Sequence, residues 1–203
     1  MSAKIIGLIS GLLVFGSIIP YAIRVYQKKI RPSMTSYSLW SLIALALLLT
    51  YKSSGAKENI WPAVCSFIRP LIVTFLLLLQ HSNWKKPNRL EILCTLICLA
   101  SLTLWLIVGK NRELSQYALY LAIVADACAA LPMIMLVWKD PARDRPLTWV
   151  IFALGYGLGI LAITEYTLAN YVLPIYMLLI CLIIIVPLVI YRWQHKSRLS
   201  EWI

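Results

Sequence analysis

Apolar residues run through this chain in seven long stretches separated by short polar breaks. The stretches cover roughly residues 4–24, 35–52, 59–81, 90–109, 115–138, 147–164 and 169–191. A helix rises about 1.5 Å per residue and a bilayer's hydrocarbon core is about 30 Å thick, so about 20 apolar residues cross it. Each stretch therefore predicts a transmembrane helix, the second and sixth near the short limit of about 17 residues. The breaks, mostly about 5 to 10 residues, leave no room for a soluble domain and make successive helices neighbours. The first stretch lacks a small-residue cleavage site and runs into Tyr26-Gln27-Lys28-Lys29, so it reads as a membrane helix and not as a signal peptide.

Composition agrees with lipid as the solvent: 61% of residues are apolar and 13% charged, against about half and a quarter in soluble domains. The net charge of +11 would point to nucleic acid in a soluble protein. Here the cations sit at the ends of apolar runs, where anionic lipid head groups meet them, and nucleic acid is set aside as a partner. One alternating set of loops holds Arg24, Lys28, Lys29, Arg31, Lys85, Lys86, Arg89, Lys139, Arg143, Arg145, Arg192, Lys196 and Arg198; the other holds Lys4, Lys52, Lys57, Lys110 and Arg112. The positive-inside rule then places the amino terminus outside and the carboxyl terminus in the cytoplasm. Trp61 near one face and Trp84, Trp138 and Trp193 near the other fit aromatic belts. The cysteines at 65, 94, 98, 128 and 181 all lie in apolar runs, form no Cys-x-x-Cys and have no histidine close by, so they read as packing residues. His81 and His195 have no partner motif, and neither a metal nor a cofactor is expected.

The two halves echo each other. Pro20 is followed by a basic loop with Arg31-Pro32 and then by Trp40; Pro132 is followed by a basic loop with Arg145-Pro146 and then by Trp149 and Phe152. The third stretch opens with Asn59-Ile60-Trp61-Pro62 and the seventh with Asn170-Tyr171-Val172-Leu173-Pro174. The expected fold is an all-α membrane protein of seven transmembrane helices in a 3+1+3 parallel repeat, N-out and C-in. Residues 1–82 would form the first triple-helix bundle, 83–112 a linker helix, and 113–203 the second bundle with a short cytoplasmic tail.

On Pro20, Pro132, the two Arg-Pro loops and the aromatic residues after them, the chain resembles the SWEET, PQ-loop and MtN3 superfamily of small membrane transporters over almost its whole length. The resemblance implies the 3+1+3 plan, a cytoplasmic loop after each proline and carriage of a small solute. Two departures stand out. Tyr21 and Met133 follow the prolines where PQ-loop members carry glutamine, and Ser66, Arg69, Met177 and Cys181 occupy the region where sugar-type members carry pocket asparagines. The fold is thus implied more firmly than the substrate.

Two residues are expensive where they stand. Arg69 and Asp126 each lie about eleven residues from the outer end of their stretch, about 16 Å deep at a helical rise and so near the bilayer midplane. An unpaired charge there costs about 2.5 to 3.5 kcal/mol. Their equal depth and opposite sign predict a shared central cavity. There Arg69 would bind an anionic or carboxylate group of a solute, while Asp126 would bind an amine or hydroxyl or carry a coupled proton. The bland alternative is a dry ion pair docking the two triplets. They are not repeat-equivalent, since Val14 matches Asp126 and Cys181 matches Arg69. Ser66 and Tyr156 complete the expected substrate-binding set. Pro20 and Pro132 are the expected hinges, with a static kink as the alternative. Gly7, Gly11 and the string Gly155-Tyr156-Gly157-Leu158-Gly159 read as close helix packing rather than a nucleotide loop. Glu165 reads as solvated, and the mixed-sign loop 139–146 as a solvated turn or a cytoplasmic gate.

The leading expectation is a transporter of a small polar or zwitterionic solute working by alternating access. The alternative is a membrane receptor or sorting protein that binds a peptide or carboxylate ligand on the same fold. An enzyme is not expected, because no nucleophile-base pair or metal cluster is apparent. The brief loops suit a multi-pass protein of a bacterial inner membrane, and homo-oligomerisation is left open.

Overall fold

The computed structural model describes residues 2–30, 32–82, 84–196, 198 and 202, with Arg143 by its backbone only. Arg31, half of the first Arg-Pro pair, lies outside the described residues. Helices α1 (Ala3–Gly16) and α2 (Ile19–Tyr26) share the first apolar stretch. The remaining six stretches form α3 (Met34–Ser53), α4 (Trp61–Leu79), α5 (Arg89–Val108), α6 (Arg112–Lys139), α7 (Pro146–Leu161) and α8 (Leu168–Gln194). Counting Ala3–Tyr26 as one, six spans among the described residues are long and apolar enough to cross a membrane, as a multi-pass protein requires. The sixth stretch, α7, has 16 residues and stops at Leu161. The second stretch, expected near the short limit, is a full 20-residue helix.

Side-chain caps set several of these starts. The Ser33 hydroxyl accepts from the Ser36 amide, Asn88 and Glu91 form a reciprocal capping box, and Asn111 accepts from the amides of Glu113 and Leu114. The helices of the two expected hinge prolines, Pro20 and Pro132, then part ways. The first is interrupted at Ser17–Ile18, just before Pro20, whereas α6 runs through Pro132 without a break. A proline ring collides with, and leaves unbonded, the carbonyl four residues earlier. For Pro20 that carbonyl belongs to Gly16, next to Ser17, whose hydroxyl donates to the Val14 carbonyl at 2.7 Å. Glycine and a back-bonding serine yield there. Before Pro132 stand Ala129 and Ala130, the strongest helix formers, and the helix holds.

Helix contacts run in a cycle. α1 packs on α4 and α7, α4 on α3, α3 on α6, α6 on α8, and α8 on α7; α5 stands outside it against α6 and α3. Close approach within the cycle depends on glycines. A Cβ at Gly7 would lie 2.0 Å from the Glu58 carbonyl oxygen, and one at Gly155 would lie 2.6 Å from Val14 Cγ2, so α1 meets its neighbours backbone to backbone. Gly11 and Gly159 are similarly tight against Trp61 and Pro62, but Gly157 has nothing within 4 Å, so the expected packing role fails there. The outer surface is apolar, with Leu106 74% and Ile107 76% exposed on α5, a surface made for lipid.

The core is continuous at one end and divided at the other. One large cluster joins Val14, Tyr51, Ala63, Leu119, Tyr156 and Leu173, one from each of the six helices of the cycle. Towards the end that carries Asp144, two small clusters replace it. One gathers Ile18, Val25, Met34, Val73 and Leu77; the other gathers Val137, Ile184 and Leu188. Between them lies a cavity.

Candidate solute-binding cavity

The cavity has a volume of about 430 Å³ and extends from mid-bundle towards the Asp144 end. That is the size of a small-molecule site. All four residues expected to bind substrate line it: Ser66 and Arg69 from α4, Asp126 from α6 and Tyr156 from α7. Of the expected hinges, Pro20 and Pro132 are not in its wall, although Ile18, Tyr21 and Met133 beside them are.

Arg69 stacks on an aromatic ring of the cavity wall. Its Cζ sits 4.1 Å from the Phe152 ring centroid, and its Nε is buried without a hydrogen-bond partner. A cation over a ring gains about 0.5 to 2 kcal/mol. A buried donor left unsatisfied loses about 1 to 3 kcal/mol, more when charged, so the stacking does not offset it. The site is short of an acceptor. Asp126 is better provided, its Oδ2 accepting from the Tyr176 hydroxyl at 2.7 Å. Among the described residues the only ion pairs lie elsewhere, so Arg69 and Asp126 are not within 4.0 Å of each other. This corrects the docking-pair alternative: two opposite charges face one hollow without closing on each other. Ser66 and Tyr156 hydroxyls bond at 2.9 Å, and the Tyr156 ring packs on Phe152 at 5.1 Å between centroids.

At the Asp144 end the wall becomes aromatic and charged. Tyr21 and Tyr37 stack at 5.8 Å. Asp144 Oδ2 accepts from the Trp149 indole at 2.8 Å and Oδ1 from the Arg145 amide at 2.7 Å. Loop 139–146 is therefore more than a solvated turn, because its aspartate lines the cavity and holds a cavity tryptophan. Ser36, also in the wall, donates to Glu91 at 2.6 Å and so ties α3 to the first turn of α5.

The opposite end is shut. Leu47, Ala63 and Leu173 are the last wall residues on that side. One turn further along the same three helices or their approaches stand Tyr51, Asn59 and Asn170, all buried. The Tyr51 hydroxyl donates to the Asn170 carbonyl at 2.8 Å and accepts from the Asn59 side-chain amide. Asn170 Nδ2 in turn donates to the Glu165 carbonyl at 2.8 Å. Above this network Glu165 pairs with both Lys57 and Arg112, which corrects its reading as a solvated residue. Hydrogen bonds from Lys57 and Arg112 hold its carboxyl below the usual carboxylate range.

No protein-family profile, no curated protein and no solved structure matches this chain. The site thus has to be read from its own chemistry.

Sequence reasoning missed three partners: Tyr176 for Asp126, Phe152 as the ring under Arg69, and Tyr51 as the meeting point of Asn59 and Asn170. A signal existed for the last. Two asparagines opening matched stretches mark polar groups that must find a partner once buried.

Proposed function

We propose that the protein is a transporter that moves a small polar or zwitterionic solute by alternating access. The reading is carried by one observation: a guanidinium whose buried Nε lacks a partner and a carboxylate share a mid-bundle cavity without pairing. A solute with an acidic and a basic or hydroxyl group would supply the acceptor that Arg69 lacks and a donor for Asp126. Its apolar remainder would rest on Phe152 and Tyr156.

The helix contacts support a 3+1+3 repeat. In each proposed triplet the third helix lies against the other two, α4 against α1 and α3, α8 against α6 and α7. The triplets meet crosswise, α1 on α7 and α3 on α6, the relation a two-fold axis along the membrane normal would generate. The peripheral α5 serves as linker. This is the plan of the SWEET, PQ-loop and MtN3 superfamily, to which we assign the chain as a proposal, with N-out and C-in orientation and a place in a bacterial inner membrane. The shut Glu165 end and the cavity towards the Asp144 end then describe an inward-facing state. The interruption before Pro20 is the better hinge of the two; Pro132 would flex only by bending a continuous helix. Asp126 is the proton-coupling candidate.

Uptake of labelled amino acids, sugars and nucleosides into vesicles holding the purified chain, with and without a pH gradient, tests this. Saturable uptake of an amphoteric solute is expected, and Asp126→Asn should abolish any dependence on the gradient. Binding without flux would move the reading to a receptor or sorting protein. No solute handled from a broad panel, by folded protein, would overturn it.

A further inference from the structure

The described wall of the central cavity carries one guanidinium, Arg69, and two carboxylates, Asp126 and Asp144. A solute that joins Arg69 to Asp126 leaves the second carboxylate to be accounted for. Asp144 stands just before α7, its Oδ1 accepting from the Arg145 amide at 2.7 Å and its Oδ2 from the Trp149 indole at 2.8 Å. Both donors are neutral, so these bonds fix the carboxylate without bringing a positive charge to it. Four aromatic side chains line this half of the cavity: Tyr21 from α2, Tyr37 and Trp40 from α3, and Trp149 from α7. Tyr21 and Tyr37 stack at 5.8 Å, and Trp40, three residues on from Tyr37, lies on the same face of α3.

Aromatic rings beside a carboxylate are the chemistry of an ammonium site. Ring faces attract a cation but offer few lone pairs. A primary ammonium would bring three donors to such a wall, whereas an alkylated one brings none to leave unsatisfied. The helix sets the spacing. Trp149 precedes Phe152 by three residues on α7, about 4.5 Å of helical rise, and the Arg69 guanidinium lies over Phe152. The cation end and the anion end of the site are therefore about one helical turn apart, the span of a few carbon–carbon bonds. We propose that the Asp144 end of the cavity is a cage for an alkylated ammonium group, and that the solute is a short, hydroxylated trimethylammonium carboxylate. Its carboxylate meets Arg69, its hydroxyl donates to Asp126, and its ammonium lies among the four rings beside Asp144. The inference rests on the reading that Arg69 and Asp126 bind a solute, and it names that solute's class.

Calorimetric titration of the full chain in neutral detergent tests this with three probes. They are carnitine, the same skeleton carrying a primary amine, and β-hydroxybutyrate, which lacks the nitrogen. Carnitine is expected to bind roughly 10-fold tighter than either of the others. Trp40→Leu should erase the preference for the methylated form, and Trp40→Phe, which keeps a ring, should retain most of it. Asp144→Asn should weaken carnitine by roughly 10-fold without weakening β-hydroxybutyrate. Equal binding of the three probes, all of it lost in Arg69→Ala, would overturn the cage and leave the Arg69 site standing. A methyl preference that survives both Trp40→Leu and Asp144→Asn would overturn the cage as well. Carnitine held through Trp40 and Asp144 but not carried across vesicles would keep the cage and remove transport. Binding of none of the three would overturn the cage, and the uptake panel would then decide the transport reading separately.

Discussion

The two ends of the bundle are built from the same helices and do opposite things. At the Glu165 end one core crosses the whole bundle, glycines bring α1 against α4 and α7, and a buried Tyr51–Asn59–Asn170 network closes the centre. At the Asp144 end the core splits into two clusters, and aromatic and charged side chains line the space between. Small residues and a buried hydrogen-bonded network make a seal at one end; at the other, aromatic and charged side chains border a hollow. The difference shows how one helix cycle can hold a hollow at one end alone.

The comparison breaks most sharply at the glycines. Gly7→Ala would drive a methyl group into the Glu58 carbonyl, a backbone atom that cannot swing aside, and should cost about 1 to 3 kcal/mol. Gly157→Ala, facing open space within a helix, should be neutral or stabilising by up to about 1 kcal/mol. Thermal unfolding of the two variants side by side checks both. Equal destabilisation would mean that tight packing is not what seals the Glu165 end.

Tyr51→Phe comes next. It keeps the ring but leaves the Asn170 carbonyl without this donor and the Asn59 amide without its acceptor, at a cost of about 1 to 3 kcal/mol. The same change should let a water-soluble thiol reagent reach a cysteine placed at Leu173 from the Glu165 side, where the parent background resists labelling. Unchanged labelling would remove the network from the seal.

Glu165 has the smallest effect. Its carboxyl titrates below the ordinary range because of Lys57 and Arg112, so the unfolded chain takes up this proton at higher pH than the folded one. The stabilisation is complete above the ordinary carboxylate pKa and lost as pH falls through the lowered one. Salt should shrink it, because the cluster is at the surface. Glu165→Gln should abolish both dependences in midpoint-against-pH curves.

Much of this architecture was legible in the chain because membrane spans obey one rule, apolar length, and their starts carry caps such as Asn88 with Glu91. Arg69 and Asp126 announced a shared cavity because charge in an apolar run needs a reason. What stayed hidden depends on pairing across the fold. Tyr176 and Asp126 are 50 residues apart and Tyr51 and Asn170 are 119, distances over which periodicity is silent. Glu165 looked solvated because loop residues carry no signal of what the neighbouring loops will bring. The break at Ser17–Ile18 falls ahead of Pro20 because the ring's collision is with an earlier carbonyl, and Gly16 and Ser17 decide whether the helix survives it.

Transport as proposed requires that a solute join Arg69 to Asp126 in the cavity. A thermal-shift screen of small zwitterions, acids, sugars and amines on the parent, Arg69→Ala and Asp126→Asn proteins measures this most directly. A zwitterion that stabilises the parent should lose roughly 10- to 100-fold in affinity on either substitution, the worth of one charge-assisted hydrogen bond. A solute that stabilises all three proteins equally, or a parent that responds to none, would contradict it.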